Sequence, residues 1–442
     1  MTINELKKCI ADAGCVGAGG AGFPTAVKLA EGADSLIINA AECEPLLYTD
    51  YYIMKQYMDR IASGAETIMA AAGIPNGYLG VKAHTAKRLH LAQGDAISSH
   101  VHVHILPDVY PMGDEIILIY QVLGRVVAPG SLPLSAGVLV FNAETLYNVD
   151  RAVKEGAAVT DKWITIGGKV KQPVSLVVPV GTGVAELLGR LNISIPEDCV
   201  IIDGGPAMGN IIDPEKAVIT KTTKGLLILP RDIPAIAGKL SENRAIMAHA
   251  SSNCCQCTLC SEMCPRALIG YPLRPHKIVR TSLAVVEEMP ELFTEASVCC
   301  GCGVCELTAC CQGISPRRVY TQVKGILAKN KLRYQHKGEL TVDPDRDYRM
   351  LPSDRFMTRI GVAPFDAMPQ FLTDKWTPSK ITLPLRMHVG APASPAVQVG
   401  DTVRTGDVIG AAAQGISANI HAPVNGRVAE VSAASVVIVP EA

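Results

Sequence analysis

Read from the N-terminus, apolar and polar positions first alternate between helix-like and strand-like periods. Residues 3–13 read as a short amphipathic helix that stops at Gly14. Gly17-Ala-Gly-Gly20-Ala-Gly22-Phe-Pro-Thr follows, a loop whose glycines permit positive φ and close backbone approach. An alternating strand pattern at Ser35–Asn39 leads into the loop AAECEPLLYTD, and residues 50–73 read as a helix. Next come a strand near 77–81, a helix near 85–95 and a strand near 101–106. After Tyr110-Pro-Met-Gly-Asp-Glu a helix runs up to Leu123. This alternation predicts a layered α/β domain over 1–154.

The texture changes after residue 155. WITIGGKV, SLVVPVG, CVIIDGGP and AVITKTTKGLLILP are short β segments separated by Gly, Pro and Lys, with one short helix near Val184–Leu191. They predict a small β-rich module over 155–235. A cysteine-rich module over 236–335 follows, and 336–380, with DPDRD and scattered prolines, reads as a linker. Residues 381–442 are β again. VQVGDTVRTGDVIG and NIHAPVNGRVAEVSAASVVIV share a texture that suggests a small sandwich with internal pseudo-symmetry.

Composition narrows this picture. A chain of 442 residues exceeds one compact core, so several domains are expected. Aromatic residues are only 5%, while Gly (39) and Pro (29) are frequent, favouring turn-rich small modules over long helical bundles. A formal charge of −1 gives no case for nucleic acid or an anionic membrane surface. Gly and Pro interrupt the longest apolar stretch, Ser175–Leu188, so no transmembrane segment is expected. The N-terminus lacks a secretory signal pattern, which makes the cytoplasm the expected address and argues against a dense disulfide framework.

Of fifteen cysteines, eleven lie within the 58 residues 254–311. The first run is Cys254-x2-Cys257-x2-Cys260-x3-Cys264-Pro265, the bacterial ferredoxin spacing with its terminal proline. The second is Cys299-x2-Cys302-x2-Cys305-x4-Cys310, one residue longer before its last cysteine. Thiolates are soft anionic ligands that suit iron in mixed valence. Three of them at x2 spacing wrap one cubane, and the fourth reaches the other. One [4Fe–4S] cluster is therefore expected on Cys254, Cys257, Cys260 and Cys310, the other on Cys264, Cys299, Cys302 and Cys305. Structural zinc is the bland alternative. Its sites favour two separated CxxC pairs, which this spacing does not provide. Cys255, Cys300 and Cys311 sit beside ligands without an assigned role.

Two such clusters need an electron source. The Gly17–Gly22 loop can cradle a phosphate on backbone N–H groups, although it lacks the dinucleotide GxGxxG arrangement. Gly-rich turns also serve packing, and Lys28, Asn39, Asn142, Glu115 and Phe23 each have an ordinary structural reading. GAGGAGFPTAVK, however, resembles the flavin loop of the NADH-oxidising, FMN-carrying subunit of respiratory complex I. INAAECEP, YPMGDE and FNAETL resemble further segments of that subunit. The order NAAECEPLL, YPMGDE, GRVVAPGSLP, DGGPAMG and the two cysteine runs is closer still to the RnfC-like family, in particular its PduS-type branch of microcompartment-associated cobalamin reductases.

That resemblance implies four parts: an FMN/NADH-binding α/β domain, an SLBB β-grasp domain, a dicluster ferredoxin-like helical domain and a C-terminal barrel-sandwich hybrid. It assigns cofactor contacts to Gly17, Gly19, Gly20, Gly22, Phe23, Lys28, Asn39, Glu42, Glu44, Asp114, Glu115 and Asn142. Ala41 and Asp114 depart from the complex I pattern, where an aspartate and a glutamate stand. The barrel turn Pro423-Val424-Asn425-Gly426 has no lysine for a swinging arm. The expected activity is NADH oxidation through FMN and the two clusters. The acceptor is expected to be a redox protein such as flavodoxin or ferredoxin, a corrinoid enzyme, or cobalamin. The PduS branch adds a microcompartment lumen and shell or cargo proteins as expectations. Rival readings are an RnfC-like subunit of a membrane complex, against which the C-terminal barrel argues, a carrier for an amino-acid reductase, and a cluster-only relay. The basic stretch Arg317–Arg333 offers a docking face for an acidic carrier, or a solvated surface.

Overall fold

A computed structural model describes residues 1–441. The first sheet is wholly parallel, in the order Val101–Leu106, Asn76–Lys82, Ser35–Ala40, Val138–Asn142. The chain starts in the middle of the sheet, builds outward on one side, and returns to add its last strand on the other. The switch point lies between Ser35–Ala40 and Val138–Asn142, and ligands bind at the carboxyl ends of strands beside such a point. Leu36 and Ile38 face a core shared with the helices Ile3–Asp12, Thr49–Ala72 and Ala143–Glu155. Ile37 faces the opposite core, covered by the helix Glu115–Leu123. Both faces are buried, which is why Leu36, Ile37 and Ile38 are consecutive apolar residues and not an alternating pattern.

That second core does not end at the α/β domain. Ile37, Ile116, Ile117 and Leu118 share it with Ile269, Tyr271, Val319 and Tyr320 of the cysteine-rich helical region. The helix Pro316–Lys329 is the largest element of that region and buries Val319, Tyr320, Val323 and Leu327 along one side. The helical region is thereby fixed against one face of the parallel sheet.

The second sheet is a β-grasp. Asp161–Gly168 and Val174–Pro179 form an antiparallel hairpin, the helix Val184–Arg190 crosses over, and Gly225–Pro230 returns parallel to Asp161–Gly168. Cys199–Asp203 and Asn210–Ile212 extend the sheet beyond it. The C-terminal part has two small sheets, one centred on Gly426–Val431 and Ser435–Pro440, the other on Val408–Ala411. They enclose Leu383, Leu385, Ile409, Ile420, Val436 and Ile438, as a barrel-sandwich hybrid requires. Buried Lys221 joins three parts of the chain, donating to the carbonyls of Gly14 (2.7 Å) and Asn419 (2.8 Å). Burial pushes its ammonium down to about 8.

Residues 336–380, expected as a linker, contribute to the interior. Leu351–Pro352 pairs antiparallel with Val109–Tyr110, and Gln370–Phe371 adds an edge to the β-grasp sheet. Between them the helix Ser353–Ile360 buries Phe356 and Ile360 completely. The strands are two residues long and the helix eight, too short to produce a periodic signal.

Candidate functional site

At the carboxyl ends of the central strands lies a cleft with two chambers, of about 410 Å³ and 220 Å³. Gly19, Gly20, Ala21, Asn39, Gly113 and Asn142 line both, so the glycine loop forms the partition between them. The loop is closed at its base by the Gly17 N–H donating to the Phe23 carbonyl at 2.9 Å. Ala18 N–H donates to Thr145 Oγ1 at 3.0 Å. Gly22 has φ +71°, and a Cβ there would lie 2.7 Å from Thr222 Cγ2, so both conformation and space require glycine.

Asn39 and Asn142 are register partners on adjacent strands. Asn39 Nδ2 donates to the Gly113 carbonyl (3.0 Å), and Asn142 Nδ2 donates to the Asn39 carbonyl (3.2 Å) and the Asp50 carboxylate (3.1 Å). Asn142 Oδ1 also caps the following helix through Glu144 N–H. Lys224 Nζ pairs with Asp50 from the β-grasp side. The smaller chamber holds Gly17, Phe23, Lys28 and Glu115, with Lys28 and Glu115 paired.

Glu42 and Glu44 stand in the larger chamber, half-buried. Glu42 Oε1 accepts from Thr49 N–H (2.9 Å), the Thr49 hydroxyl (2.8 Å) and Asp50 N–H (3.3 Å), so it caps the helix that begins at Thr49. Removal from water, then the Asp50 charge, raises its carboxyl to about 7. Glu44 accepts from Ala207 N–H at 2.9 Å and from the Tyr110 hydroxyl at 3.1 Å. Burial raises its pKa, and those two bonds oppose the rise. Gly205 packs so closely that a Cβ would sit 2.0 Å from Glu44 Oε2.

Asp114 is not in the cleft. It caps the helix Glu115–Leu123 and pairs with Arg266 at 2.9 Å, facing the cysteine-rich region. Asp114 is the extended N-cap residue, its carboxylate turned back onto the N–H groups of Ile116 and Ile117, whereas Glu115 begins the helix and reaches the smaller chamber. Sequence reasoning also missed Asp50, Asp203, Met208, Asn210, Thr222 and Lys224, which line the larger chamber. Most come from the β-grasp module. The Gly204-Gly205 pair directly after an apolar strand was the available signal.

The cysteines gather in two sets. Cys254, Cys257, Cys260 and Cys310 line one cavity, which Cys255 and Cys311 also touch. Cys264, Cys299, Cys302 and Cys305 line the other, with Cys300 beside them. No cysteine among the described residues is in a disulfide. The two loops share an unusual backbone: the residues on either side of the middle cysteine have positive φ in both. These are Gln256 (57°) and Thr258 (66°) in the first loop, Gly301 (74°) and Gly303 (82°) in the second. Alternating hands of this kind turn backbone N–H groups inward and form an anion-binding concavity. Four converging thiols over such a concavity fit an anionic iron–sulfur cubane.

The cleft and the second thiol set are directly joined. The fully buried Tyr110 donates to the Cys302 carbonyl at 2.7 Å and reaches Glu44 at 3.1 Å. Arg266, next to Pro265, bonds the Val298 carbonyl at 2.7 Å as well as Asp114. Arg317 donates to the Ala207 carbonyl (2.6 Å) and pairs with Glu306. Arg318 bonds the Gly238 carbonyl, and Lys324 the Cys299 carbonyl. Half of the Arg317–Arg333 basic stretch thus ties the interior together rather than presenting a docking face.

Residues 10–151 match the Nuo51 FMN-binding domain, 253–315 the 4Fe-4S dicluster domain, and 369–440 the RnfC barrel sandwich hybrid domain. The chain is 37% identical to cobalamin reductase PduS of Salmonella typhimurium, covering 99% of this chain and 97% of that protein. It is 36% identical to cobalamin reductase PduS of Citrobacter freundii, over 98% of this chain and 96% of that one. It is also 30% identical to one component of the Na(+)-translocating ferredoxin:NAD(+) oxidoreductase complex of Acetobacterium woodii, over 60% of this chain and 58% of that component.

Proposed function

Because the chain belongs to the family of the cobalamin reductase PduS, we propose that it moves electrons from NADH through FMN and two [4Fe–4S] clusters to a corrinoid of the cobalamin class. It is an oxidoreductase with an FMN-binding domain and a dicluster domain. The observation that carries the reading is the Glu44–Tyr110–Cys302 junction, which places one thiol set directly behind the cleft.

When bound, FMN supplies two-electron exchange with a nicotinamide and one-electron exchange with the clusters. The cleft's combined size falls within the range of cofactor pockets, roughly 300–1,000 Å³. Gly17, Gly19, Gly20 and Gly22 give the backbone room to approach the cofactor, and Asn39 and Asn142 orient polar groups at the strand ends. Lys28 supplies a cation in the smaller chamber, and Phe23 a flat apolar surface. Glu42 and Glu44 hold the wall in place through their hydrogen bonds. Cys264, Cys299, Cys302 and Cys305 form the inner set. Cys254, Cys257, Cys260 and Cys310 form the outer set, where Cys257 is exposed.

No helix among the described residues is long and apolar enough to cross a membrane. The PduS kinship supports a place in the cytoplasm or a microcompartment lumen, with shell or cargo proteins as neighbours. Anaerobic purification followed by NADH titration tests the activity. The flavin absorbance is expected to bleach, and added cob(III)alamin to be reduced only while NADH is present. A flavin band that NADH leaves untouched sinks the proposal.

A further inference from the structure

The outer cavity holds two more thiols than one cubane needs. Cys255 and Cys311 line it together with the four cysteines assigned to the cluster. The Sγ atoms of Cys255, Cys257 and Cys311 all lie within 4.8 Å of one another, and all three residues are exposed. The Cys257–Cys311 separation is 3.9 Å. With Cys257 committed to iron, Cys255 and Cys311 remain as a facing pair from segments 56 residues apart, too few ligands for a closed metal site of their own. The inner cavity has no such pair, because Pro265 follows Cys264 and Cys300 is its single spare thiol. Exposed cysteine side chains rotate about χ1, and a disulfide needs the sulfurs to close to about 2.05 Å.

We propose that Cys255 and Cys311 form a redox-active dithiol at the mouth of the outer cluster, oxidised to a disulfide by small-molecule disulfides. One protein thiolate attacks a sulfur of RS–SR, forming a mixed disulfide and releasing RS⁻. The second protein thiolate then attacks the protein sulfur, closes the Cys255–Cys311 bond and releases the second RS⁻. The two thiol protons leave with the two RS⁻ groups as RSH. The protein pair loses two electrons, and the small disulfide gains them. The bond staples the segment after Cys254 to the segment after Cys310 across the open side of the cavity. A dithiol reverses it. The inference rests on the cluster allocation above.

The test uses anaerobically purified holoprotein treated with oxidised glutathione, followed by denaturing alkylation, peptide mass spectrometry and iron counting. The expected product is a Cys255–Cys311 linked peptide with the full iron complement retained. Cys255→Ser and Cys311→Ser are expected to keep their iron and lose the linked peptide, whereas Cys254→Ser and Cys310→Ser lose iron. Free alkylation of both cysteines after oxidant overturns the dithiol. Iron loss in Cys255→Ser or Cys311→Ser overturns it too, by making that residue a ligand. Full iron in both Cys254→Ser and Cys310→Ser overturns the allocation itself, and the dithiol with it.

Discussion

Tyr110 lends one hydroxyl to two sites: it donates to the Cys302 carbonyl and touches Glu44 of the cleft wall. Tyr110→Phe keeps the ring and removes both contacts, leaving a carbonyl and a carboxylate short of a partner. A loss of roughly 1–3 kcal/mol in denaturant-derived stability is expected. Glu42 poses a different question, because its carboxyl is held near 7 by removal from water and by the Asp50 charge. Its folded pKa lies above its unfolded one, so the folded state binds the extra proton between them. The resulting stability is complete below the unfolded pKa and is lost as pH rises through about 7. In Glu42→Gln the Oε1 acceptor for Thr49 and Asp50 survives without the ionisation. The wild-type thermal midpoint is expected to fall by several degrees from about pH 5 to about pH 8 relative to this variant. Parallel pH profiles for the two proteins argue against the assignment.

At the scale of elements, legibility followed the length of the local signal. The cysteine runs fix ligand spacing residue by residue, and both loops do take the same left- and right-handed backbone. The first domain's strands and helices are long enough to show their period. The segment Leu351–Ile360 is not: within its eight-residue helix only Phe356 and Ile360 are fully buried, between Pro352 and Gly361. Their partners come from elsewhere in the chain. Phe356 stacks on Tyr110 with ring centroids 3.9 Å apart, and Ile360 joins the same core as Leu46, Leu227 and Cys302. The larger chamber was half legible for the same reason, since Thr222 and Lys224 reach it only once the β-grasp module is docked. Phe356→Ala removes a completely buried ring, so a cost of about 3–5 kcal/mol is expected in equilibrium unfolding. A smaller value, near that of an exposed side chain, returns the segment to the status of a linker.

For the whole molecule, the order of the two thiol sets follows from how the modules are joined. The core that runs from Ile37 through Ile116 to Val319 and Tyr320 fixes the cysteine-rich region against the parallel sheet. Tyr110 and Arg266 then anchor the loops of the inner set, through Cys302 and Val298. Among the described residues the outer set has no comparable tie to the cleft, and Cys255, Cys257 and Cys311 are exposed. Under the proposed function, electrons entering at the cleft are expected to meet the inner set first and leave by the outer one. Cys260→Ser, which breaks the outer set, is expected to leave NADH bleaching of the flavin intact. The inner cluster's reduced EPR signal should persist, while reduction of an external corrinoid falls at least about tenfold, since one-electron exit then lacks its last carrier. Cys302→Ser, which breaks the inner set, is expected to suppress NADH-dependent reduction of the outer cluster as well. Were the outer cluster still reduced by NADH at the wild-type rate in Cys302→Ser, the cleft would feed it directly and the series order would be wrong.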